Sequence, residues 1–84
     1  MTEREQILTR TCLEHLANTP AGYLQSERSV ASYLYLAVSP EATAAETHAV
    51  LARLEADRLV SCVVSTLGVK KWAITDAGRA ALKE

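Results

Sequence analysis

Leu59-Val60-Ser61-Cys62-Val63-Val64, then Gly68, then Lys70-Lys71-Trp72-Ala73-Ile74-Thr75-Asp76-Ala77-Gly78, is the stretch that decides the fold. Val60, Cys62 and Val64 alternate with Ser61, Val63 and Ser65, the period-2 pattern of a half-buried strand. Gly68 supplies a turn, and a returning strand places Trp72 and Ile74 on the inward face. Thr75 then reads as the cap of a short last helix, with Asp76 at its positive end and Gly78 allowing close packing against Trp72.

Upstream, the pattern changes from period 2 to the spacing of helices. Thr2 followed by Glu5 is a capping-box signature, so a first helix starts there and runs to about Asn18. Leu8, Cys12 and Leu16 share one face as a core stripe, while Ile7 and Thr11 point elsewhere. Asn18-Thr19-Pro20-Ala21-Gly22 turns the chain. Tyr23-Leu24-Gln25 reads as a very short strand, and Ser26 caps a second helix over about Glu27 to Leu36. Val30, Ala31 and Leu34 form its buried side, flanked by Tyr33 and Tyr35.

Two starts compete for the third helix. Ser39 could cap it with Pro40 in the first helical position. Alternatively Thr43 caps it, with Glu46 completing a second capping box. Either way Ala44, Thr47, Val50, Leu51 and Leu54 fall on one face, and the helix ends near Asp57 or Arg58. The order is therefore helix, small strand, helix, helix, hairpin, helix, an α+β arrangement that occupies residues 1–84 as one domain.

That order resembles the winged helix-turn-helix domain. Leu51-Ala52-Arg53-Leu54-Glu55-Ala56-Asp57-Arg58-Leu59-Val60 resembles the end of a recognition helix entering the wing in regulators of bacterial or phage type. Trp72-Ala73-Ile74-Thr75-Asp76-Ala77-Gly78-Arg79 resembles the strand-to-helix closure of MarR, PadR and ArsR regulators. The resemblance favours Thr43 as the cap of the third helix, with a preliminary turn at Pro40. It implies a DNA-binding module for transcription regulation, working as a homodimer.

Composition bounds that expectation. Eighty-four residues with 49% hydrophobic and 23% charged side chains form a globular chain, of which folding buries about 60 to 65% of the extended surface. There is no apolar run of membrane-spanning length, and the first residues lack the basic-then-apolar plan of a signal peptide. Two cysteines, Cys12 and Cys62, are too few for a disulfide scaffold and fit a reducing, cytoplasmic setting. The net charge of −1 supplies no basic excess for a polyanion.

On the resemblance, the third helix enters the major groove and the hairpin touches the backbone. Glu46, Thr47 and His48 are then the candidate base readers, and Arg28, Arg53, Lys70 and Lys71 the candidate phosphate contacts. Glu46 and the alanines around it also have a plainer reading, as a capping residue and helix formers. Lys70 and Lys71 point to opposite faces of their strand, so one serves the backbone and the other is solvated.

A second pattern lies on the outward face of the same helix. Ala45, Ala49, Ala52 and Ala56 follow at spacings of four, three and four, a smooth stripe that lets another helix approach and points to a protein partner. Ile7 and Leu82, on the first and last helices, are the candidate anchors of a dimer. Cys12, His15, His48 and Cys62 are the soft ligands, but they are scattered over three elements without a tight pair, so no metal and no cofactor are expected. No glycine-rich phosphate loop, nucleophile elbow or paired acid and base points to catalysis.

Overall fold

A computed structural model describes residues 2–19 and 24–83. Four helices, α1 (Glu3–Ala17), α2 (Glu27–Ala37), α3 (Ala44–Ala56) and α4 (Asp76–Leu82), pack with three strands, β1 (Gln25–Ser26), β2 (Val60–Val64) and β3 (Lys70–Ile74). The strands form one antiparallel sheet in the order β1-β3-β2, with Gln25 opposite Trp72 and Cys62 also opposite Trp72. This α+β architecture is that of a winged helix-turn-helix, as the element order implies.

Each helix begins where a side chain can satisfy its first free N–H groups. Thr2 and Glu5 close a capping box on α1, and Thr43 and Glu46 close another on α3. Ser26 accepts from the Ser29 N–H at the start of α2, and Thr75 from the Gly78 N–H at the start of α4. The competition at the third helix is thus won by Thr43, and residues 38–40 form bends without a helical turn. At the other end of α3, Arg58 turns left-handed at φ 61°. Its N–H donates to the Glu55 carbonyl and that of Leu59 to the Leu54 carbonyl, a Schellman closure with Arg where Gly is usual.

The core joins Leu8, Cys12, Leu13 and Leu16 of α1 with Val30 and Leu34 of α2, Val50, Leu51 and Leu54 of α3, and Val60 and Trp72 of the hairpin. Val38 and Ala42, in the α2–α3 connection, complete it. Trp72 sits at the middle of the sheet, so its burial fixes the register of both neighbouring strands.

Four expectations from the sequence are corrected. Ala44 is exposed, and Ala42, two residues earlier in the connection before α3, takes its place in the core. Val64 is 58% exposed, because the hairpin leaves the body after Cys62 and nothing remains for its inward face to cover. The first strand lies at Gln25–Ser26 with Leu24 outside it, and Tyr23 lies outside the described residues together with 20–22 of the proposed turn. Gly78 is needed for close approach to the Leu59 carbonyl and to Ile74, whose Cγ1 would lie 2.7 Å from an added Cβ, and these atoms lie nearer than any of Trp72. Leu82 packs part of its side chain on the core and keeps the rest exposed.

Candidate nucleic-acid interface

The outward surface of α3 is built by the helical repeat. Because Thr47, Val50, Leu51 and Leu54 are buried, the opposite positions Ala45, His48, Ala49, Ala52 and Ala56 must face out, and all five are exposed. His48 Nδ1 lies 3.2 Å from Glu27 Oε1, which ties the middle of α3 to the first turn of α2.

Two of the three candidate base readers are used inside the fold. Thr47 is 0% exposed, and its hydroxyl has no partner among the described residues. It lies one turn before Val50 and Leu51 on the inward stripe, so it cannot reach a base edge while the helix keeps this packing. Glu46 is held by Arg4: Nε donates to Oε2 at 2.7 Å and Nη2 to Oε1 at 3.0 Å. Glu46 Oε1 also accepts from the Thr43 N–H at 3.0 Å. The Arg4 guanidinium and the capping N–H hold the Glu46 carboxyl down at about 2, well below the usual carboxylate range. The same guanidinium donates to the carbonyls of Pro40 at 3.0 Å and Glu41 at 3.3 Å, so Arg4 clamps α1 to the entrance of α3.

Arg4 escaped the sequence reading, because a partner 42 positions away leaves no local signal. The plainer reading of Glu46 as a capping residue describes what its carboxylate does. A groove of about 480 Å³ runs beside this clamp between α1 and α3, floored by Leu8, Ala49 and Val50 and rimmed by Glu5, Glu46 and Arg53. Arg53 faces Glu5 across it at 3.6 Å with both side chains about half exposed, a separation at which surface charges contribute little.

The remaining cations stand free. Arg28, Lys70 and Lys71 are exposed and make no ion pair among the described residues. Lys70 pairs with Val64 and Lys71 with Val63 across the hairpin, so the two side chains leave opposite faces of β3. The wing tip beyond them is apolar, with Leu67 88% exposed.

The soft ligands do not meet. Among the described residues no group of three or more His, Cys, Asp or Glu is placed to hold a metal. Cys12 is fully buried, and burial pushes its thiol up to about 12, which makes it an inert core residue. The His15 ring stacks on Tyr33 with centroids 4.0 Å apart, and burial lowers its pKa. No described helix is long and apolar enough to cross a membrane.

No family model matches this chain, and no curated protein does. Among solved structures it is similar to the candidate transcriptional regulator TA0346 of Thermoplasma acidophilum, with a TM-score of 0.73 and 16% identity over 94% of this chain and 76% of that one. It is also similar to the ferric uptake regulator Fur of Vibrio cholerae, with a TM-score of 0.65 and 16% identity over 89% of this chain. It spans about half of that protein, 53% of its length. The first is described as a transcriptional regulator and the second as a ferric uptake regulator with DNA-binding domains, and at this identity the likeness establishes a shared winged-helix fold.

Proposed function

We propose that the chain is the DNA-binding module of a transcriptional regulator, with α3 lying in the major groove and the hairpin against the phosphate backbone. The observation that carries this reading is an exposed, smooth α3 surface in a fold with three exposed cations that make no ion pair among the described residues, Arg28 at the start of α2 and Lys70 and Lys71 on the wing. Small alanines let a helix sit deep in a groove, and their methyl groups suit thymine methyls. His48 is the polar group left to face base edges, since Glu46 and Thr47 are occupied within the fold. The Arg4 guanidinium also offsets the negative charge of the ionised Glu46 carboxylate, which would otherwise repel phosphates. The two neighbours described as regulators support the reading, and the finer likeness to MarR, PadR and ArsR regulators rests on the two sequence segments quoted above.

A salt titration on random duplex DNA tests it. Two phosphate contacts, from Arg28 and one of the two wing lysines, predict an affinity that falls about 12-fold between about 50 and 200 mM salt. Replacing Lys70 and Lys71 together with Ala should weaken binding to all sequences about equally and flatten the salt slope by about one contact. No binding at the lower salt would remove the DNA reading. The exposed stripe Ala45, Ala49, Ala52 and Ala56 favours one other reading, a winged helix that docks a protein through α3. In that case Lys70 and Lys71 are dispensable, and Ala52→Lys abolishes the interaction.

A further inference from the structure

β2 is an outer strand of the sheet, and among the described residues nothing pairs with its free edge. The hydrogen-bond parity of that edge follows from its ends. Thr75 N–H donates to the Leu59 carbonyl at 3.1 Å and Ser65 N–H to the Val69 carbonyl at 2.9 Å. Antiparallel ladders alternate, so the odd positions 59, 61, 63 and 65 turn their backbone toward β3, and Val60, Cys62 and Val64 turn theirs outward.

Edge strands are normally blunted by a charge, a proline, a bulge or a cover. This one has no such guard. Residues 59–69 contain neither a charged side chain nor a proline, and Val63, Val64, Leu67 and Val69 are all exposed, Leu67 at 88%.

We propose that the outer edge of β2 is a self-association surface, on which a second copy of this chain adds its own β2 antiparallel to form one continuous six-stranded sheet. Two observations favour a second copy over an unrelated strand. The edge is uncharged, so two identical edges meet without repulsion. Its outward donors and acceptors lie at three positions spaced evenly about Cys62. A two-fold axis through Cys62 therefore pairs Val60 with Val64 of the second copy, Cys62 with its own counterpart and Val64 with Val60, so that every outward group of both strands finds a partner. A register shifted by two residues leaves one outward residue in each strand unmatched within β2. The surface is distinct from the helical anchors, of which Leu82 is already partly spent on the core.

The register makes the test specific. Directly opposed residues of a hydrogen-bonded pair have Cα atoms about 5.5 Å apart, within disulfide range. Sedimentation of the full chain over a concentration series should show a monomer–dimer equilibrium. Mild oxidation should give a disulfide-linked dimer that Cys62→Ser abolishes, while fully buried Cys12 takes no part. Val64→Pro removes an outward N–H and no ladder bond of the monomer, so it should raise the concentration of half-dimerisation at least about tenfold with an unchanged circular dichroism spectrum. If that variant fails to fold, hydrogen exchange on the unaltered chain decides, because the amides of Cys62 and Val64 should exchange more slowly as concentration rises. A monomer at all concentrations, a dimer that Val64→Pro leaves intact, a cross-link that survives Cys62→Ser, exchange independent of concentration, or growth beyond dimers would each overturn the proposal.

Discussion

The α1–α3 seam and the β-hairpin secure themselves by different means. Along the seam an apolar stripe is buried and the charges at its rim are matched, with Arg4 on Glu46 and on two carbonyls of the loop before α3. The hairpin is fixed only at its root. There Val60 and Trp72 enter the core, the Thr75 hydroxyl donates to the Arg58 carbonyl at 2.8 Å, and Gly78 presses on Leu59. Two residues further out, both strands are exposed and uncovered. The contrast teaches that the seam between α1 and α3 satisfies its own charges and apolar surface, whereas the flap is held by the body at one end alone.

The sharpest way to break the contrast is to loosen the root. An added Cβ at Gly78 would collide with the backbone carbonyl of Leu59, which cannot rotate away because it accepts from the Thr75 N–H. Gly78→Ala should therefore cost about 2 to 4 kcal/mol, seen as a fall in the urea midpoint. The loss should appear first in hydrogen exchange of the hairpin amides. If the variant unfolds with hairpin and helices indistinguishable at every stage, the root is part of the body's own cooperative unit and the contrast is weaker than drawn.

The sequence displayed this division unevenly. Both capping boxes and the i, i+4 stripes are local signals, and they located α1, α3 and the buried faces nearly to the residue. The Val60-Cys62-Val64 alternation correctly put Val60 and Cys62 inward but carried the pattern one step too far, because period 2 continues in a strand after the core beneath it has ended. Leu13 shows the opposite error: it lies off the strict stripe of Leu8, Cys12 and Leu16, yet it is buried, on a helix that packs against α4 and β3 as well as α2 and α3. Arg58 gave no warning of a left-handed turn, since glycine is the residue that usually marks one. Within the candidate interface, exposure of the alanine stripe was readable, but the Arg4–Glu46 clamp depends on chain folding and could not be read from either residue's neighbours.

A smaller effect of opposite sign concerns Thr47. Its hydroxyl is buried without a partner among the described residues, which disfavours the folded state, so Thr47→Val should stabilise the protein by about 1 kcal/mol and raise the thermal midpoint. Because the side chain faces the core, affinity for DNA should be unchanged. The same variant thus separates the structural placement of Thr47 from the base-reading role its position in the recognition helix implies. A stability gain with unaltered binding supports the inward placement, and a loss of sequence preference with unaltered stability would restore the groove contact.

The smallest effect tests the seam by acid. Glu46 has its pKa depressed to about 2 from an ordinary 4.5, so the folded protein holds fewer protons than the unfolded chain between those values. Its contribution to stability is therefore complete above pH 4.5 and is lost as the pH falls toward 2. The clamp is partly exposed, so the loss is modest and shrinks further at high salt. Glu46→Gln should flatten the acid limb of the thermal midpoint against pH in this window, and 1 M salt should bring the two proteins closer together. The capping hydrogen bond to Thr43 can be kept by Gln, so a large loss at pH 7 in this variant would show that the charge on Arg4, once unpaired, matters more to the seam than the bond geometry does.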